Sequence, residues 1–296
     1  MGLAALALPA PASGQGAGSQ ASTLLRLAPG PRPLALGHAF VAVRDPLTLE
    51  YNPAAASAGG LSASYQALPV DVSAGAMGMT FPAGGGVMGA SLRFVNYGTI
   101  DVYESTGTEP VGRPTGETAT GGELSALVGG GIALGAARLG LAGRWLRLDV
   151  AGLRDDAFVA DAGVLVEPTG WLTLGASLQG LGTDVEAGRS APVLRTARMG
   201  AAVQRSLLGL DVLLTVEGRR RESRTGAGVG LEVRGGTARL EAAFRMGYET
   251  RPDPGDAFSA LAFGGGVRLD ELTVEFAYRA LGPLGSTRQV GLRYRF

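Results

Sequence analysis

Hydrophobic and polar positions alternate along most of this chain, most clearly in its last eleven residues. In Ser286 to Phe296, Val290, Leu292, Tyr294 and Phe296 fall on one phase, and Gln289, Gly291, Arg293 and Arg295 on the other. Successive side chains of a strand point to opposite faces, so this stretch has one apolar, aromatic-ended face and one cationic face. A dry core would make the cationic face costly. A membrane β-barrel wants that pattern, with apolar residues toward lipid and polar residues toward a wet lumen.

The pattern recurs from Leu61 onward. Strands are predicted near 61–67, 73–81, 86–97, 122–134, 136–149, 156–166, 171–182, 193–204, 210–219, 226–234, 237–248, 256–268, 271–281 and 286–296. In 237–248, Leu240, Ala242, Phe244, Met246 and Tyr248 oppose Arg239, Glu241, Ala243 and Arg245. In 271–281, Val274, Phe276, Tyr278 and Ala280 oppose Thr273, Glu275 and Arg279. An Arg facing lipid at the bilayer midplane would cost ~2–4 kcal/mol, so its steady place in the polar phase assigns that phase to the lumen. The lumen-facing charges expected are therefore Arg239, Glu241, Arg245, Glu275, Arg279, Arg293 and Arg295.

Connection lengths agree. Alternate turns, near Pro82–Gly85, Gly135, Glu167–Gly170, Arg205–Gly209, Gly235–Gly236 and Leu269–Asp270, are short and mostly bear Gly or Pro, as tight hairpins prefer. The intervening set, including 98–121, 150–155, 183–192, 220–225 and 249–255, is longer and polar, with 282–285 as its short exception. Such parity is expected of periplasmic turns and extracellular loops. The expected fold is all-β: an antiparallel transmembrane β-barrel of about fourteen strands over 61–296.

The N-terminal part breaks the alternation. Residues 1–12 are an apolar run ending in Ala10-Pro11-Ala12, the remnant of a secretory signal peptide by its small-x-small end. In 13–60, Pro31, Pro33, Pro46 and Pro53 interrupt any long element; a short helix is predicted within 34–43 and a turn at 48–51. Because this segment precedes the barrel and lacks strand character, it is the expected hatch or plug of the lumen.

Composition narrows the function. Charged residues are 18% of the chain and mean hydropathy is +0.19, yet no apolar run reaches the ~18 residues of a spanning helix. A formal net charge of +0 gives no electrostatic case for nucleic acid. There is no cysteine, and His38 is the single histidine, so a His-bearing triad or a two-histidine metal site cannot be assembled without it. Gly84-x-Gly86-x-x-Gly89 matches a dinucleotide fingerprint but is followed by strand period, not helix period. Asp155-Asp156 reads as a solvated loop edge. No enzyme, catalytic residue, metal or cofactor is expected.

The segment Gly37-His38-Ala39-Phe40-Val41-Ala42-Val43-Arg44-Asp45, followed by Tyr51-Asn52-Pro53-Ala54, resembles the N-terminal signature of the PorV/PorQ family. Those are outer-membrane barrels related to the FadL transporters, which share Asn-Pro-Ala. Ala55 stands where the relatives usually have Gly. The resemblance implies a bacterial outer-membrane location and an N-terminal hatch, with Phe40, Asn52, Pro53 and Ala54 inside the lumen. It also implies partners: outer-membrane lipid and lipopolysaccharide, the barrel-assembly machinery, and secreted proteins. Phe296 looks like the terminal aromatic signal that the assembly machinery reads. The implied role is a non-catalytic component of type IX-like protein secretion. The alternative is a FadL-like channel for hydrophobic small molecules, with Gly129–Gly131 and Gly264–Gly266 as candidate strand kinks. A soluble periplasmic β protein is the third reading.

Overall fold

The computed structural model describes residues 22–104, 113–150, 152–182, 193, 195–221, 224–250 and 260–296. The alternating stretches become fourteen strands: β1 (Gly60–Ala67), β2 (Ser73–Ala83), β3 (Gly86–Glu104), β4 (Arg113–Leu134), β5 (Ala137–Val150), β6 (Leu153–Thr169) and β7 (Leu172–Gly182). They continue as β8 (Thr196–Leu207), β9 (Leu210–Arg221), β10 (Arg224–Gly236), β11 (Leu240–Glu249), β12 (Leu261–Leu269), β13 (Leu272–Ala280) and β14 (Ser286–Arg295). Each pairs antiparallel with its sequence neighbours, and β1 closes the barrel on β14, from Gly60 opposite Arg295 to Ala67 opposite Arg288. Closure leaves no sheet edge, which a lipid environment requires.

Exposure is inverted relative to a water-soluble sheet. On β13, Val274 (53%) and Phe276 (46%) are exposed, while Glu275 (3%) and Arg279 (4%) are buried. On β9, Leu214 and Val216 face out, while Thr215 and Glu217 are buried within. An apolar outer wall around a polar interior is the arrangement of a membrane barrel, not of a soluble sandwich.

One end of the barrel carries only tight turns. At Leu208–Gly209 both residues have positive φ (53° and 78°), the type I′ geometry whose twist matches a hairpin. This short-turn end also holds the start of β1 and the end of β14.

The opposite, loop end differs from expectation. Strands β3 and β4 run on to Glu104 and from Arg113, through much of the expected loop 98–121. Strands β5/β6 and β9/β10 likewise continue to within two residues of each other. A ladder extending beyond the apolar band carries polar residues on both faces, and in sequence that reads as loop. The loop-length parity is accordingly weaker than predicted.

The two triglycine runs are not kinks: pairing is unbroken through Gly129–Gly131 and through Gly264–Gly266 on both sides. Register shifts occur instead between β3 and β4, at Asn96/Thr99 and Asp101/Tyr103, and between β6 and β7, at Val166/Thr169 and where Gln179 and Gly180 together oppose Asp161. Asp161 Oδ1 accepts the Gly180 N–H (2.9 Å), satisfying the amide that this bulge would orphan.

Candidate functional site

The aperiodic N-terminal segment owes its shape to local capping. A short helix, α1 (Pro31–Ala35), starts on a proline pair, and proline at the first helical position has no amide to lose. Asp45 caps a 3-10 turn at Pro46–Glu50, accepting from the Leu47 N–H; Asn52 caps another at Pro53–Ala55, accepting from the Ala54 N–H. Phe40, Ala54 and Asn52 are fully buried.

The segment rests on glycines of the barrel's inner face. A methyl group added at Gly140, Gly163, Gly175, Gly200, Gly228 or Gly247 would collide with its backbone or short side chains. At Gly131 it would lie 2.9 Å from the Pro53 carbonyl oxygen, and at Gly175 2.5 Å from that of Val41. Glycine permits such close backbone approach. A glycine seat on most strands from β4 to β12 lets the segment lie directly on the wall.

Four carboxylates then fasten it. Glu123 on β4 accepts from Ser22 Oγ (2.6 Å) and from the Thr23 and Leu24 N–H groups (2.7 and 3.1 Å). Glu217 on β9 accepts from the Phe40 and Val41 N–H groups, both at 2.9 Å, and pairs with Arg198 at 2.6 Å. Glu50, from the segment, meets Arg144 at 2.8 Å, Arg93 at 3.3 Å and the Ser91 hydroxyl. Arg144 continues to Asp161 at 3.1 Å.

The fourth, Asp45, belongs to a closed ring of charges. It binds Arg32 (2.5 Å) and Arg293 (2.7 Å); Arg293 binds Glu275 (2.6 Å), Glu275 faces Arg245 (2.9 Å), Arg245 binds Glu232 (2.5 Å), and Glu232 returns to Arg32 (2.8 Å). Within the ring three guanidiniums alternate with three carboxylates, which offsets the cost of burying them, and Arg234 Nε adds a fourth cation 3.3 Å from Glu232. The Arg245–Glu275 contact is an ion pair not aligned as a hydrogen bond, and its facing atoms Nη1 and Oε1 have no other partner.

These contacts bias protonation. Burial by itself would raise the Glu50 carboxyl, but Arg144 and Arg93 outweigh it and hold it down at about 2. Burial likewise acts to raise Asp45, and Arg293 with Arg32 reverses it to a lowered value. His38 is pushed well below its ordinary value, first by burial and then by Arg279, Arg219, Arg198 and Arg221; its Nδ1 lies 3.1 Å from the Tyr51 hydroxyl.

The structure brings Phe40, Asn52, Pro53 and Ala54 onto the inner wall. Asn52 Nδ2 donates to the carbonyls of Val41 (2.9 Å) and Val164 on β6 (3.0 Å), and Arg138 Nε donates to the Ala54 carbonyl (3.0 Å). Of the expected lumenal charges, Arg245, Glu275, Arg279 and Arg293 point inward, and Glu241 is half-buried near Arg268 (3.4 Å). Two differ. Arg239 is exposed in the turn before β11, and Arg295 is exposed at the short-turn rim, because the strand phase no longer encloses side chains once the ladder ends. Phe296 is exposed at 63%. Residues 1–21, which include the expected signal remnant and flexible lead-in, lie outside the described residues. Sequence reasoning missed Arg32, Glu123, Glu217, Glu232 and the glycine seats. Only the inward phase of those wall residues could have pointed to them.

Asp155 and Asp156 lie on β6 near the loop end, with Asp156 paired to Arg147 at 2.9 Å. Among the described residues, no group of three His, Cys, Asp or Glu side chains could hold a metal ion.

No family model matches the sequence, and no curated protein matches it either. Solved structures do match in fold. The Pseudomonas putida toluene transporter TodX superposes at a TM-score of 0.54, with 11% identity, over 86% of this chain and 93% of that one. A Pseudomonas aeruginosa FadL homologue gives 0.51 with 10% identity over 91% and 97%, and the Ralstonia pickettii toluene transporter TbuX gives 0.50 with 12% identity over 90% and 98%. At such identities the likeness is one of fold. The chain has a FadL-like outer-membrane β-barrel fold.

Proposed function

We propose that the protein is a non-catalytic outer-membrane channel for small hydrophobic molecules, with residues 22–59 as a hatch across its lumen. The observation that carries this reading is the N-terminal segment seated on the inner wall of a barrel whose fold neighbours include transporters of toluene. Passage requires the segment to shift, since it is fastened to β4, β9, β10 and β14 at once. In this orientation the short-turn end is periplasmic, the exposed Phe296 is the assembly signal, and lipid and lipopolysaccharide surround the apolar wall.

The test is uptake of a labelled monoaromatic hydrocarbon by cells expressing the protein, compared with cells expressing a barrel of the same size from another fold. Increased uptake, abolished when Cys residues placed at positions 39 and 215 are crosslinked, is the expected result. No gain with any hydrophobic solute overturns the channel. The segment Gly37–Asp45 with Tyr51–Ala54, which resembles PorV/PorQ, supports a second reading as an export component; a secreted protein co-purifying with the barrel would favour it.

A further inference from the structure

Above the segment, toward the loop end, guanidiniums outnumber carboxylates around a cavity. It has a volume of about 30 Å³ and is lined by Arg26, His38, Glu50, Arg93, Arg144, Asp161, Thr196 and Arg198, with Leu25, Leu27 and Val159 on its apolar side. That volume has room for two or three waters or one small oxyanion.

In the ring at the short-turn end three guanidiniums meet three carboxylates, with Arg234 as a fourth cation at 3.3 Å from Glu232. Around this cavity Arg93, Arg144 and Arg198 are matched by Glu50, Asp161 and Glu217. Arg26 lines the cavity and Arg221 stands behind its Thr196, and neither has a carboxylate partner among the described residues. Arg26 is exposed on its 3-10 turn. Arg221, partly buried on β9, has only the Thr196 hydroxyl, at the long distance of 3.4 Å. Arg221 lies opposite Thr196 in the ladder, and Arg219 lies directly opposite Arg198; Arg221 feels the charges of Arg198, Arg219 and Arg26 together. Arg219 is paired to Glu249, yet its buried Nη1 has no hydrogen-bond partner.

Five guanidiniums in or beside the cavity against three carboxylates leave a local surplus of two positive charges, in a chain whose formal net charge is +0. Guanidiniums fit phosphate oxygens with paired, directional N–H donors, and the Thr196 hydroxyl adds one more.

We propose that Arg26, Arg198, Arg221 and Thr196 form a binding site for a phosphate-class dianion, free or as the terminal group of a larger solute. The anion would join Arg26 of the N-terminal segment to β8 and β9, completing at the loop end the fastening that the charge ring supplies at the other. The site does not depend on the channel reading.

The test is isothermal titration of the detergent-purified full chain with inorganic phosphate at fixed ionic strength, with chloride as control. Saturable binding to one site per barrel is expected with phosphate and not with chloride. Arg221→Gln and Arg26→Gln should each weaken it at least tenfold, and Arg147→Gln, at an exposed pair with Asp156, should leave it unchanged. No saturable phosphate heat, or an affinity undiminished from that of the native chain in Arg26→Gln and Arg221→Gln, overturns the site. Heat-modifiable gel mobility reports folding; should Arg221→Gln fail it, Arg26→Gln, which lies on no strand, decides alone. Phosphatidic acid in mixed micelles separates the sources: tighter binding than inorganic phosphate assigns a lipid headgroup, weaker binding the free ion.

Discussion

Strand β13 and the segment from Arg32 to Asn52 carry their charges in opposite ways. On β13, Glu275 and Arg279 share the inward phase, and Phe276 and Tyr278 between them face out. In the segment, Arg32, Asp45 and Glu50 follow no period, yet each ends in a buried ionic cluster. The wall separates two environments, so every second residue must suit the same one. The segment is enclosed by a single surface, and each residue must suit whatever part of that surface it reaches. Periodicity records the first constraint and is blind to the second.

The comparison can be broken from the segment's side. Glu232→Ala would leave Arg32 and Arg245 facing each other without their shared carboxylate. Removing one partner of a buried ionic cluster costs about 3–5 kcal/mol, and limited proteolysis should find the segment released while the barrel keeps its heat-modifiable mobility. Retained protection would show that the ring does not hold the segment.

Acid should act in the same direction. Glu50 is held at about 2 against an ordinary 4.5, so its ionised form stabilises the docked segment above about pH 4.5 and that contribution is lost as pH falls toward 2. His38, lowered below its ordinary 6.5 by burial and neighbouring arginines, adds a loss that begins below that pH, because the released imidazole takes up a proton. Protease accessibility of the segment should therefore rise on acidification from pH 6.5 downward and steepen below 4.5; a flat profile would exclude both groups.

The wall gives a contrasting test. Phe276→Arg puts a cation on the lipid-facing phase at the middle of β13, at a cost of about 2–4 kcal/mol near the midplane. Refolding titrations into lipid vesicles should show that loss with the segment still docked. The smallest effect is expected at a glycine seat. Gly140→Ala places a methyl group against the Pro53–Ala54 backbone, costing about 1–3 kcal/mol by overpacking. Proteolysis should then open the segment near Ala54 before Arg32; release beginning at Arg32 would mean that the glycine seat is incidental.

Much of the wall was legible in the sequence. The outward phase of Leu240, Phe244, Met246 and Tyr248, and the burial of Arg245, Glu275 and Arg279, follow from alternation alone. The strand extension through the expected loop at 98–121 was not legible on β4, where 113–121 is polar on both faces, although Ile100 and Val102 alternate with polar residues in the sequence of β3. The glycines were counted but not understood. Gly163 and Gly228 look like ordinary strand glycines until Asn52 and Gly37 are laid against them.

The candidate site was half visible. Asp45, Phe40 and the Asn52–Ala54 turn stood out within their own segment, but their partners lie far away along the chain. Glu217 reaches Phe40 across 177 residues, and Glu232 reaches Arg32 across 200.

What the sequence determined by itself was the two-faced wall and its closure into a barrel, since lipid outside and polar groups inside impose a period of two on every strand. Which carboxylate meets which guanidinium, and where two arginines are left over, was decided only by the tertiary structure. Those pairings depend on how an aperiodic segment lies across strands that only barrel closure brings around it.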